Sequence, residues 1–147
     1  MEALIALVTQ WKAEGLRLAE PVPAIAVQKV FSSFGAIATP DVLALYSSIG
    51  GMHEMDKELW CLWPLDRIEQ ENGVNSHHGV PFADYMINSW CYRLKDNGDG
   101  TSAVLIDSPD SSSAVLVARS LAEFLEMYKT NAEELLKPAI NGKHPLA

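Results

Sequence analysis

Apolar residues recur at helical spacing through the first third of the chain, then give way to short runs separated by turn residues. Leu4, Leu7, Val8, Trp11 and Leu18 make one stripe and predict a helix from Glu2 to Ala19, weakened toward its far end by Gly15. Pro21 and Pro23 stop it, because proline lacks a donor and turns the preceding residue away from helix. A second helix is expected from Ala24 to Ser33, with Val27, Val30, Phe31 and Phe34 inward and Gly35 at its end. A third opens at Thr39-Pro40-Asp41: Thr39 can cap, Pro40 suits the first helical position, and Asp41 faces the positive end of the dipole. Val42, Leu45, Tyr46 and Ile49 then face inward until Gly50-Gly51, where a left-handed exit is expected.

Leu59 to Trp63 reads as a strand, Leu65 to Glu71 as a short helix, and the polar stretch from Asn72 to Pro81 as a surface loop. Four further strands follow, at Phe82 to Ile87, Trp90 to Leu94, Ala103 to Ile106 and Ala114 to Ala118. Between the second and third of these, Lys95 to Thr101 holds residues that tolerate positive φ and predicts a hairpin turn. Ser120 and Glu123 form a capping box, and Leu121, Phe124, Leu125, Tyr128, Leu135 and Leu136 extend the last helical stripe to Pro138. Residues 141–147 are expected to fray. Short strands set between helical stripes, with no repeat or linker, predict a single α+β domain over residues 1–147. It would be a mainly antiparallel sheet with N-terminal helices and the C-terminal helix packed on it.

A chain of 147 residues with 48% hydrophobic and 20% charged residues can bury a core without disulfide or metal staples. Cys61 and Cys91 lie in apolar, strand-like surroundings and are expected to be buried thiols. The N-terminal apolar run carries Glu2, Gln10 and Lys12 and no basic flank, so neither a secretory leader nor a membrane span is expected, and the cytoplasm is the default location. A net charge of -8 disfavours nucleic-acid binding, which needs clustered cations. It suits a protein partner with a basic surface, although acidity can also serve solubility alone.

The stretch PDVLALYSSIGG followed by ELWCLWPLDRIEQEN, with Phe82-Ala83-Asp84 further on, resembles the SUKH superfamily of cell-wall-assembly regulators and bacterial toxin-immunity proteins. The corresponding residues are Ala38-Thr39-Pro40, Ile49-Gly50-Gly51, and Leu59 through Leu65. The chain departs from that pattern at Thr39, where Leu is usual, and at Ile49, where Asn is usual. Residues 1–20 would be an additional helix. The resemblance implies the predicted α+β fold and a protein-binding role. The leading expectation is an immunity protein that neutralises a cognate toxin, often a nuclease. A regulatory scaffold or adaptor is the alternative, and an enzyme of unrecognised type ranks third.

Candidate chemistry is sparse. Asp96-Asn97-Gly98-Asp99-Gly100 has Gly98 where a calcium loop needs a ligand and Asp107 where it needs Glu, so a plain turn is expected. His77 and His78 are read as solvated loop residues, and with His53 and the cysteines they would bind metal only if the fold gathered them. Neither Ser47-Ser48 nor Ser111-Ser112-Ser113 sits in a nucleophile elbow, and no phosphate loop is present. No catalytic residue, metal or cofactor is therefore expected. Trp60 and Trp63 should point to opposite faces of their strand, either both in the core or one exposed as an anchor. Acids cluster at Glu54, Asp56 and Glu58, then at Asp66, Glu69 and Glu71, with Asp84, Asp96, Asp99, Asp107 and Asp110 following. They are read either as a solvated rim or as a patch facing a cationic partner. The candidate partner-binding set is Glu54, Asp56, Glu58, Trp60, Trp63, Asp84, Tyr85 and Trp90.

Overall fold

The first stripe folds as α1 (Glu2–Ala13), burying Ala3, Leu4, Leu7 and Trp11. The computed structural model describes residues 2–72, 76–86, 89–108 and 112–138. The expected strand end at Ile87, Asp110, Ser111 and the expected frayed tail at 141–147 lie outside them. Helix α1 is shorter than the stripe predicts, because Gly15 adopts φ +77° and the chain then runs extended. Residues 17–19 instead lie along 50–53: Ala19 N donates to Gly51 O (2.8 Å), Gly50 N to Ala19 O (3.0 Å) and His53 N to Arg17 O (2.9 Å). Leu18 thus pairs with Met52 in an isolated bridge rather than extending the helical stripe.

Helix α2 (Ala24–Ser33) matches its prediction, and α3 (Pro40–Ser48) begins at the expected proline. Thr39 does not cap α3 with its side chain. Its hydroxyl is shared with Asp41 and with Ser102 Oγ at 2.6 Å, while Asp41 accepts from Val42 N at 2.8 Å. The glycine pair does two separate jobs. A Cβ on Gly50 would meet the carbonyl oxygen of Glu20 at 2.0 Å, so close backbone approach excludes any side chain there. Only Gly51 takes positive φ (+119°), after Ile49 has left the helix in extended backbone.

Five antiparallel strands follow in a meander whose spatial order equals chain order: β1 (Trp60–Leu62), β2 (Val80–Tyr85), β3 (Trp90–Asp96), β4 (Ser102–Asp107) and β5 (Ala114–Ala118). Helix α4 (Leu65–Gln70) lies between β1 and β2. The surface loop predicted up to Pro81 ends sooner: a 3₁₀ turn covers Ser76–His78, and β2 starts at Val80. Pro81 is accommodated by a register shift between Pro81 and Ala83, where a missing ladder donor is tolerated. The hairpin at 95–101 forms as expected, with Gly98 and Gly100 at positive φ.

Across the sheet, Trp60, Tyr85 and Trp90 stand directly opposite one another and share a face with Tyr92 and Ile106. Helix α5 (Leu121–Thr130) covers that face: Phe124 meets Phe82 and Tyr92, each at a ring distance of 5.5 Å. Ser120 caps α5 through Glu123 N (3.1 Å), while Glu123 reaches back to Arg119 N (3.4 Å). The stripe predicted to run unbroken to Pro138 is interrupted at Asn131, which leaves the helix in extended backbone and caps a 3₁₀ turn, Ala132–Leu135. Trp11, Phe31, Tyr46, Trp60, Trp63, Phe82, Tyr92 and Phe124 are the large residues of one continuous core. The chain is therefore an α+β domain with an antiparallel sheet.

Candidate protein-interaction surface

Buried carboxylates reorganise the candidate set. Asp56 is enclosed, and its two oxygens accept four hydrogen bonds: Trp11 Nε1 (2.9 Å) and Tyr128 Oη (2.6 Å) on one, Glu58 N (2.9 Å) and Trp60 N (3.1 Å) on the other. It thereby joins α1, the start of β1 and α5. Burial, and then the adjacent Asp56 carboxylate, push the Tyr128 hydroxyl well above the ordinary phenol range. Asp84 is likewise buried and pairs with Arg67 Nη2 at 3.1 Å, while the Arg67 guanidinium lies 4.2 Å from the Trp63 ring centroid. Trp60 and Trp63 are both in the core. As a correction to the sequence reading, Asp56, Trp60, Trp63 and Asp84 have structural partners inside the fold and do not form a contact surface.

Two other expectations change for the same reason. Asp107 is buried and receives Arg93 in a two-pronged pair (Nε 2.9 Å, Nη2 3.2 Å), with His78 Nδ1 at 3.2 Å. Arg93 Nη1 also donates to Gly79 O at 3.1 Å. His78 is thus an interior residue rather than a solvated one, and Asp107 does not belong to a solvated rim. A buried charge pair of this kind needs such complete pairing, because unpaired charge in the interior is costly.

Cys61 and Cys91 face Asp84 from β1 and β3 in direct register. Two strand spacings put them about 10 Å apart, beyond the reach of a disulfide. Burial is the main cause that pushes both thiols up to about 12, so neither is a nucleophile near neutral pH. Among the described residues, no group of three or more His, Cys, Asp or Glu side chains could hold a metal ion. His53, Glu54, Cys61, Arg67 and Asp84 share a crevice of about 280 Å³, but its opposite charges, Arg67 and Asp84, neutralise each other.

The surface chemistry lies at the end of the sheet where β1 begins and β2 turns into β3. Leu59 and Met86 are large apolar residues left 37% and 47% exposed. Both adopt left-handed backbone, φ +70° and +52°, and Met86 N donates to Leu59 O at 3.0 Å. Such backbone costs a side-chain-bearing residue roughly 1–2 kcal/mol, and the surrounding bonds hold it in place. Leu59 N donates to Asp56 O (2.9 Å), while Ser89 Oγ (2.8 Å) and Ser89 N (3.2 Å) bond Met86 O. Beside them Tyr85 and Trp90 are half-buried, and Tyr85 stacks on Trp60 at 4.5 Å.

No family model matches this chain, and no curated protein matches it. Of the sequence-derived set, the structure brings Tyr85 and Trp90 together in register at this apolar tip. Glu58, the chain neighbour of Leu59, borders a separate crevice of about 230 Å³ with Glu133. Glu54 is engaged by Arg17 through its backbone N (2.8 Å) and Nε (3.2 Å), and the backbone bond is the main cause holding its carboxyl below the usual range. Leu59 and Met86 were missed, because nothing in their residue type announces positive φ. The available signal was a large apolar residue beside turn and charged residues at each end of a strand. Among the described residues, no helix is long and apolar enough to cross a membrane.

Proposed function

We propose that this chain is a non-enzymatic protein-binding domain, an immunity protein that acts in the cytoplasm on a cognate toxin with a basic surface. The observation that carries this reading is the strained apolar tip: Leu59 and Met86 are exposed side by side, backed by Tyr85 and Trp90 and flanked by Glu58. Backbone strain of this kind concentrates at binding sites. An apolar centre with an aromatic backing and a charged margin is the usual composition of an interface hot spot. The net charge of -8 would steer a cationic partner toward it.

The test is co-expression with a toxin-like protein encoded beside this chain, should one be found there, together with a pull-down of the purified pair. The wild type should restore growth and retain the toxin, and the Leu59→Ser/Met86→Ser variant should lose both while melting no lower than wild type. Retention of the toxin by that folded variant at wild-type affinity would overturn the assignment of the tip. Failure of the wild type to hold or neutralise the toxin would overturn the immunity reading itself.

A further inference from the structure

Helix α5 has a second exposed feature beyond the tip. Its inner face buries Leu121, Phe124, Leu125 and Tyr128. On its flank, Glu123, Glu126, Met127, Thr130 and Asn131 line a groove of about 340 Å³, closed by Glu134. Glu134 is there because Asn131 ends the helix and turns the chain back through the 3₁₀ segment. Met127 is half-buried and packs on the core, so it forms a fixed apolar floor, and the exposed wall is almost entirely carbon. Three carboxylates stand around that floor. Glu123 accepts from Arg119 N (3.4 Å), Glu126 from Thr130 Oγ1 (3.5 Å) and Glu134 from Lys137 Nζ (2.8 Å). Arg119 bonds through its backbone amide, Thr130 is neutral, and both members of the Lys137–Glu134 ion pair are exposed, so that pair screens the rim weakly.

An apolar floor within an acidic rim selects its occupant by charge. A second copy of this chain, itself at -8, would bring like charge to like. We propose that the groove receives an amphipathic cationic helix of the protein partner, with one apolar side chain on Met127 and Lys or Arg side chains reaching Glu123, Glu126 and Glu134. The seven steps from Glu123 to Thr130 rise about 10 Å along α5, close to the two turns that separate cations at i and i+7 on an opposing helix. Methionine suits the floor because its thioether adapts to different apolar side chains. The inference rests on the protein-binding reading and extends it: Thr130 and Asn131 border both this groove and the crevice shared by Glu58 and Glu133, so the groove adjoins a second acidic crevice.

The probe is a synthetic 18-residue amphipathic Leu/Lys helix titrated into the full chain, followed by calorimetry and by amide chemical shifts. One-to-one binding is expected, with shifts confined to α5 and residues 131–135. Glu126→Lys/Glu134→Lys should weaken it by about tenfold or more, whereas the charge-matched Glu20→Lys/Glu69→Lys control should change it by less than about threefold. Met127→Ala, which keeps the charge, should also weaken it. Equal weakening by the control, shifts centred elsewhere or no binding would overturn the groove. The Leu59→Ser/Met86→Ser variant separates the two readings, since it should bind the peptide normally while losing the toxin. If the peptide binds the groove and the toxin is not held by the wild type, the groove stands and the immunity reading falls. If the toxin is held equally by wild type and Glu126→Lys/Glu134→Lys and the peptide does not bind, the groove falls alone.

Discussion

Replacing Asp56 by Ala should destabilise the fold by about 3–5 kcal/mol. The carboxylate satisfies Trp11 Nε1, Tyr128 Oη and the amides of Glu58 and Trp60. Of these, the Trp11 indole and the Trp60 amide are buried and have no freedom to turn toward another acceptor. Each buried donor left unmade costs about 1–3 kcal/mol, so two give roughly 2–6 kcal/mol before the small void is counted. Asp56→Asn replaces one carboxylate oxygen by an NH₂ group. Its oxygen can keep the two amides, which sets its NH₂ against Trp11 and Tyr128. Tyr128 can turn its hydroxyl to accept and Trp11 cannot, so the loss should be near 2 kcal/mol. Urea unfolding followed by tryptophan fluorescence measures both variants, and Asp56→Asn combined with Tyr128→Phe should cost less than the sum of the two single changes. A loss under about 1 kcal/mol for Asp56→Ala would refute the hub. So would an Asp56→Ala protein that keeps its stability and fails only in partner association, because that outcome would return Asp56 to the surface.

Leu59→Gly and Met86→Gly should each raise stability by about 1 kcal/mol, since glycine accepts their left-handed backbone, while weakening partner capture; lower melting temperatures would refute the strain. Gly50→Ala should cost at least about 2 kcal/mol by the overpacking scale, because its Cβ would press on the Glu20 carbonyl, whereas Gly35→Ala, with open space and φ +70°, should cost about 1 kcal/mol. Calorimetric melting of the pair tests the difference, and equal losses would count against the close approach. Cys61 and Cys91, lifted by burial from the ordinary 9.0 to about 12, should resist alkylation at pH 8 in the native protein and react in urea. Because both folded values are raised, this contribution to stability is complete below pH 9 and is lost as pH rises from 9 toward 12. A Cys61→Ala/Cys91→Ala protein should therefore show a shallower alkaline decline.

The helices and strands were legible because periodicity and punctuation act locally. Pro40, the Ser120 cap and the 95–101 turn each announce an element within a few residues. Charged residues were less legible, because their fate depends on partners far along the chain. Asp56 resembles its neighbours Glu54 and Glu58 in sequence, yet donors 45 and 72 residues away enclose it. His78 and Asp107 differ from solvated loop residues only through Arg93 on β3. The same holds for backbone: Gly50 reads as a helix exit until Glu20 is found against it. Helix α1 stops early because residues 17–19 find backbone partners at 50–53, which no local pattern reveals. At the tip, Tyr85 and Trp90 were found by residue type, and Leu59 and Met86 were hidden by theirs.

The chain-order meander has a kinetic consequence. Its hairpins pair neighbours in sequence, so the sheet can assemble from short loop closures. The terminal helices are different, since beside the direct Trp11–Tyr128 ring contact they share one carboxylate that takes donors from both. With only α1 docked, Asp56 would lack Tyr128; with only α5 docked, it would lack Trp11. Either half-docked form would lose one of the four donors that Asp56 accepts from, and is therefore less stable than the closed fold. Asp56 thus acts as a latch that makes the two ends of the chain engage and release together. In native-state hydrogen exchange, the amides of α1 and α5 should open as one cooperative unit at a common free energy, leaving the central hairpins closed.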